Sequence, residues 1–215
     1  MNGPDLPAAF KWPTSRPDAW KTYVGLGFCI LIPLVGPFVP LGWQKRAFEA
    51  ARAGEPPPTV DLGADIVHGL RAFVALFLCI LPAFIPFVVV LVPILLIAPP
   101  VEGGEPPVAL IIGVSAAQLI LIAFIFGLNL FFPEIERRIW RGSWAPVWNP
   151  GPSFRAIRAA PGAFLLTLVG CFAAQMAASI GMFACYVGMF VTMPWAMAVA
   201  AHLIAQWDTI AGVPE

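Results

Sequence analysis

The sequence predicts an all-α fold: a polytopic transmembrane helical bundle of four full spans plus a proline-broken first segment, with interfacial cytoplasmic helices. The first segment is a hairpin or a kinked fifth span. Three observations carry the prediction. The chain is 60% hydrophobic and only 11% charged, whereas soluble domains carry about 25% charged residues. Its mean hydropathy is +0.85. Its apolar runs reach the roughly 20 residues that a bilayer crossing needs. Basic and acidic residues balance at 12 each. No basic stripe is large enough to bind a phosphate backbone, so no nucleic-acid partner is expected.

Four regions define the elements. Residues 23–43 form the broken membrane segment. Residues 66–98 are longer than a straight crossing requires, and residues 107–132 make the next span. The stretch from Ala163 to Gln206 is too long for one crossing. It divides near Gly181 to Gly188 into helices 163–182 and 186–207 joined by a tight apolar turn. One membrane domain is expected over 1–215, with 1–22 a cytoplasmic interfacial N-terminus. Residues 44–65 form a cytoplasmic loop, and 133–162 a cytoplasmic interfacial loop.

Basic residues in short loops set the orientation. Lys45, Arg46 and Arg52 mark 44–64 as cytoplasmic, and Arg137, Arg138, Arg141, Arg155 and Arg158 mark 133–161 likewise. The acidic connection PPVEGGEP should lie outside. The first twenty residues lack the apolar core of a signal peptide, so the first hydrophobic segment is expected to direct its own insertion. The expected location is the cell inner (cytoplasmic) membrane, multi-pass.

The first segment is the difficulty, because LIPLVGPFVPLGWQKR carries three prolines and two glycines in its first twelve residues. Its N-terminal flank, with Lys11, Arg16 and Lys21, also looks cytoplasmic. Basic flanks on both sides require a hairpin turning at Pro33, Gly36 and Pro37, since proline removes a donor and clashes with the preceding turn. Trp20 and Trp43 then sit at the same headgroup level. YVGLGFCILIPLVGPFV also resembles FVALFLCILPAFIPFV further on, aligning Cys29 with Cys79 and Pro37 with Pro86. Chance likeness between two proline-containing apolar helices is the other account.

Two polar stretches read as interfacial helices. WQKRAFEAARAGEPPP should be a short helix stopped by Gly54, with Phe48 toward lipid. FPEIERRIWRGSW repeats the design with Ile135, Ile139 and Trp140 on one side and Glu136, Arg137 and Arg141 on the other. Lys45, Arg46, Arg137, Arg138 and Arg141 are thereby candidates for lipid headgroup contact. Thr59 or Asp61 can cap the long helix that follows. The stretches FKWP and DAWK, PLGWQKR with its later PPP, DLGADIVHGLRAF, FRAIRAAPGAFLL and AMAVAAHLIAQW together carry a resemblance. They resemble an uncharacterised prokaryotic multi-pass membrane family, domain of unknown function 4013, over nearly the whole chain. In that family a tyrosine commonly stands where Trp43 is here. The resemblance implies a polytopic helical membrane protein and supplies no catalytic residues.

Intramembrane polar groups are the default functional candidates. No acid or base lies deep in an expected span, which argues against a proton-coupled pump. A polar stripe remains, made of Ser115, Gln118, Asn129, Gln175, Ser179, His202 and Gln206. It either lines a polar path or bonds across helices, at about 0.6 kcal/mol per bond. Gly170, Ala174, Ala178 and Gly181 form a helix-packing ridge that lets backbones approach closely. His68 with Asp61 and Asp65 suits either a metal or a capped helix start. Cys29, Cys79, Cys171 and Cys185 read as small buried hydrophobes. No catalytic, cofactor-binding or metal residue is assigned. The expected function is non-enzymatic: a scaffold or assembly subunit of a homo-oligomer or larger membrane complex, in contact with the lipid bilayer. The alternative is a channel or transporter for a neutral or weakly polar solute.

Overall fold

The computed structural model describes residues 3–33, 35–97, 108–184 and 186–212. The described residues form α-helices and two short 3-10 turns, with no strand among them. In chain order these are α1 (Leu6–Lys11), α2 (Ala19–Ile30), α3 (Phe38–Ala53), α4 (Leu62–Ile97) and α5 (Val108–Leu130). Then follow α6 (Phe132–Arg141), α7 (Gly151–Ala159), α8 (Pro161–Ala184) and α9 (Tyr186–Ala211). The connection from Pro99 to Pro106, and Cys185 at the expected apolar turn, lie outside the described residues. Among the described residues three helices are long and apolar enough to cross a membrane, over Leu62–Pro82, Leu110–Leu130 and Pro161–Gly181.

Contacts group the chain into two compact units, Met1–Leu76 with Pro133–Glu215, and Phe77–Phe132. The smaller contains the second half of α4 and all of α5. Its share of α4 stays helical through Pro82, Pro86 and Pro93. Apolar surroundings tolerate such prolines, because the freed carbonyls find other partners.

The larger unit is built around α9. Residues 196–201 and 203–205 are all buried except His202 between them. Alanines at 196, 198, 200, 201 and 205 keep the helix thin, so α2, α3 and α8 all pack against it. Pro194 lies inside α9, and its ring leaves the carbonyl of Phe190 without its helical N–H. Gly27 of α2 sits directly on that carbonyl, where any Cβ would overlap it. The ridge Gly170, Ala174, Ala178 and Gly181 is buried in α8. A Cβ at Gly170 would come within 2.7 Å of Leu203, and Gly181 meets Thr192. Thr192 Oγ1 donates to the Ala178 carbonyl across the pair at 3.1 Å.

The chain reverses between α2 and α3. Tyr23 and Trp43, on opposite sides of the turn, meet with ring centroids 6.0 Å apart, so the two helices run antiparallel. Gly36 makes the turn possible: a Cβ there would lie 2.6–2.7 Å from the carbonyls of Cys29, Ile30 and Ile32. The similar segment from Phe73 has no glycine before its second proline and remains one helix. Leu31 and Ile32 at the tip of the hairpin are exposed.

α3 in turn packs on the start of α4 through two glycines. Gly42 lies against the backbone of Asp65, and Gly69 lies against the backbone of Phe38. The spacing is one helical turn on each helix, in opposite senses, so the pair interlocks backbone to backbone. Gly42→Ala and Gly69→Ala should each lower the melting temperature in detergent, at about 1–3 kcal/mol of overpacking. Gly25→Ala, whose added carbon would meet nothing closer than 3.9 Å, should leave it unchanged or raise it. Equal melting of all three variants would refute the interlock.

Candidate functional site

The polar chemistry of the larger unit gathers at the ends of its helices. The first component is the extended run that follows α3. Gly54 stops α3 in the left-handed conformation, at φ 72°, and Pro56, Pro57 and Pro58 follow. Prolines have no N–H to donate, so the carbonyls of this run are open to side-chain donors. Trp12 Nε1 donates to the Glu55 carbonyl at 3.0 Å, and Arg16 donates to Pro57 at 2.9 Å. Trp43 Nε1 donates to Pro58 at 3.0 Å, and Arg46 to Thr59 at 2.8 Å. The run is therefore a strap fastened to both sides of the hairpin. It delivers Asp61, whose carboxylate accepts from the N–H groups of Gly63 and Ala64 and caps α4. Asp65, fully buried, accepts Arg46 Nε at 2.7 Å and Nη2 at 2.8 Å.

The second component is a buried ionic network joining α3, α6 and α9. Glu134 and Arg137 lie one turn apart on α6 and form a fork: Nε to Oε2 and Nη2 to Oε1, both 2.8 Å. The indole N–H of Trp207 also donates to Glu134 Oε2, at 2.8 Å. Arg137 Nη1 reaches Asp208 Oδ1 at 3.1 Å. Arg141 adds a second fork to Asp208, through Nε at 2.8 Å and Nη2 at 2.7 Å. Arg52 completes the set from α3, with Nε 2.9 Å from Asp208 Oδ2. The side chains of Glu134 and Asp208 are fully buried and that of Arg137 is 1% exposed. Burial by itself lowers the Arg137 pKa, but the hydrogen bonds and charges of Glu134 and Asp208 outweigh it and hold the guanidinium charged. Phe164 packs on Trp207 at 5.4 Å and shields this end from water.

Glu136 differs from its neighbours. It is buried, its Oε2 has no hydrogen-bond partner, and no ion pair reaches it among the described residues. Burial pushes its carboxyl well above the ordinary carboxylate range. Arg138 turns the other way, its Nη1 donating to the carbonyls of Pro146 and Asn149 and to Ser153.

Of the basic residues expected at headgroups, Arg137 and Arg138 are buried, Arg46 pairs with Asp65 and Lys45 with Glu49 at 2.9 Å, while Arg141 bonds Asp208 and stays 31% exposed. Residues 133–140 are buried throughout, so α6 is an internal helix rather than an interfacial one. Its polar face meets charged partners from α3 and α9 in place of water. Phe48, expected toward lipid, is 1% exposed and packs on Trp140.

The polar stripe divides between the two units. Ser115 and Gln118 are exposed on α5, and Asn129 bonds its own helix at the Ile125 carbonyl. Gln175 and Ser179 are exposed on α8, where Ser179 bonds the Gln175 carbonyl. His202 packs on Trp12 with ring centroids 5.1 Å apart and the planes tilted by 40°. Gln206 exchanges bonds with the backbone of Asp5, accepting at 2.6 Å and donating at 3.3 Å. Among the described residues no group of acids, histidines and cysteines is arranged to hold a metal ion. A cavity of about 390 Å³ lies between the 14–23 segment and α9, walled by Trp20, Tyr23, Thr192 and Trp195. Its one cation, Arg16, is engaged by Asp18 and the Pro57 carbonyl. Two participants escaped sequence reasoning. Asp208 stands one residue past the expected end of the last span, and Arg52 reads in sequence as a base reaching the headgroups rather than as a partner for an acid of α9. The signal for Asp208 was a single acid closing an apolar helix, with a chain segment carrying three arginines (RRIWR) elsewhere to receive it.

The model of a family described as a protein of unknown function, DUF4013, matches residues 25–200. The chain belongs to this family. No curated protein and no solved structure matches it.

Two outcomes test the network. Asp208→Ala strands Arg137 in the interior without its second acceptor. It should cost about 3–5 kcal/mol, the usual effect of breaking a buried pair, read as a large fall in melting temperature. Glu136 binds its proton more tightly folded than unfolded. Its stabilising effect is therefore full at acid pH and is lost as pH rises from the ordinary carboxylate range toward the raised value. Glu136→Gln is neutral at every pH, so it should remove that decline and melt higher than wild type in alkaline buffer. Parallel pH profiles for the two proteins would show that Glu136 is not held neutral.

Proposed function

We propose that this membrane-embedded protein is a non-enzymatic scaffold or assembly subunit, working as a homo-oligomer or within a larger membrane complex. One observation carries this reading: the interior charges Glu134, Arg137 and Asp208 are committed to each other and to Trp207. Charges paired with one another in this way fix helices and are not offered to a substrate. The outward side of α8 is the surface on which such a protein would meet its neighbours. With its small-residue ridge turned to α9, α8 presents Leu165, Val169, Phe172, Met176 and Ile180 outward.

Photocrosslinking from Phe172, which is 66% exposed, in native membranes tests the proposal. The expected product is a discrete adduct to a second copy or to one membrane protein. Adducts to lipid alone, with a strict monomer in mild detergent, would sink it. Solute flux in reconstituted liposomes that Gln175→Leu abolishes would replace the scaffold by a channel.

A further inference from the structure

The ionic network is unbalanced in a way that packing does not require. Arg52, Arg137 and Arg141 share two carboxylates, Glu134 and Asp208. Arg137 is spent, because all three of its nitrogens bond these acids and it is buried. Arg52 and Arg141 are not. Both reach the same oxygen, Asp208 Oδ2, at 2.9 and 2.7 Å. Their side chains are 41% and 31% exposed. Two guanidinium groups are thus pinned side by side by one buried oxygen, with further N–H donors on their outer edges. The nearest acid along α3, Glu49, is held by Lys45. Like charges this close repel, and an anion bridging the outer edges would relieve the repulsion.

The surroundings specify where that anion comes from. Arg71, exposed on the first turns of α4, donates to the Gly142 carbonyl at 2.9 Å, next along the chain from Arg141. Its guanidinium lies 4.9 Å from the ring of Trp144, which is itself exposed. Exposed tryptophan beside arginine is the composition of a headgroup layer. Leu70, Phe73 and Val74 are exposed on the same turns of α4, a helix apolar enough to enter a bilayer. The chemistry that fits paired guanidinium edges is a tetrahedral phosphate, which accepts two forks at once.

We propose that Arg52 and Arg141 form a binding site for the phosphate of an anionic phospholipid, held open by the shared oxygen of Asp208. Arg71 adds positive charge beside the site. This gives Arg141 the headgroup contact expected of it, in a pair with Arg52, whereas Arg137 and Arg138 are buried.

The test uses the full chain in mild detergent. Native mass spectrometry would compare added phosphatidylglycerol with phosphatidylcholine. Wild type should retain phosphatidylglycerol preferentially, and Arg52→Gln should reduce that retention about fivefold, the equivalent of the roughly 1 kcal/mol that one arginine contributes at an anionic surface. Arg52 is the residue to change because Arg137 and Arg141 still neutralise Asp208 in its absence. An unaltered melting temperature without added lipid confirms that the variant folds. Arg155→Gln, on the exposed side of α7, should retain lipid as wild type does. Equal retention of the two lipids, or equal loss from Arg52→Gln and Arg155→Gln, would overturn the proposal. So would protection by inorganic phosphate with no lipid preference, which would assign the pair to a free anion.

Discussion

The larger unit depends on the burial of Glu134, Arg137 and Asp208 where α6 meets the end of α9. Removing an ion from water costs several kcal/mol, and attraction offsets this only if the remaining lone pairs are also filled. Here Asp208 takes four donors and Glu134 takes three. Glu134 takes the Arg137 fork and the Trp207 indole, and Asp208 takes donors from Arg137, Arg141 and Arg52. The requirement fixes geometry more than it adds stability. Residues 134, 137 and 141 must share one face, which only a helix provides. Trp207 and Asp208 must both face α6, and Arg52 must arrive from the last turn of α3. A register slip in any of the three helices would strand a buried charge.

That constraint explains the other unusual features around it. For Arg52 to reach Asp208, α3 must run back along α9, so the first apolar segment has to reverse. Gly36 permits the reversal, and the Gly27 contact with the Phe190 carbonyl brings α2 close to α9 at the point where Pro194 breaks its ladder. The strap around Pro56 to Pro58 then carries the chain from α3 to α4, with the carbonyls of Glu55, Pro57, Pro58 and Thr59 taking Trp12, Arg16, Trp43 and Arg46. A run with no donors of its own suits this position, since every inward carbonyl can take a side chain without leaving an N–H unpaired.

Much of this architecture was legible in the sequence. Four long apolar runs, the stop at Gly54 and the crowding of glycine and proline at 33–37 each follow from local chemistry, and the structure has a helix or a break at each. The role of the arginines was not legible. FPEIERRIWR has the amphipathic pattern of a helix lying on a membrane, and the same pattern serves a helix whose polar face meets charges from elsewhere in the chain. Pattern reports that a face is polar and is silent on whether water or Asp208 covers it. The interlock of Gly42 with Gly69 was hidden for a related reason. Each glycine is unremarkable in its own helix, and the meaning arises only when Asp65 and Phe38 lie opposite. The polar stripe illustrates the converse, because helical spacing placed Gln175 and Ser179 on a face that the structure leaves outside.

The distribution of polar groups follows from the cost of placing them. A charge at the middle of a spanning helix costs about 2.5–3.5 kcal/mol on insertion scales. The ionic network sits toward helix ends: Glu134 is in the first turn of α6 and Arg141 ends it, Arg52 lies in the last turn of α3, and Asp208 nearly closes α9. Within the long helices several polar side chains bond their own helix: Thr167 at the Ala163 carbonyl, Ser179 at Gln175, and Asn129 at Ile125. Thr192 reaches a second helix, at the small-residue contact between α8 and α9. A side chain that bonds its own helix lets that turn meet lipid or another apolar surface at a lower desolvation cost. Charge confined to one end then does two separate things. Its buried part, around Arg137, sets the register of the bundle. Its exposed part, the outer edges of Arg52 and Arg141, is the one place in the network where the protein presents uncompensated charge to its surroundings.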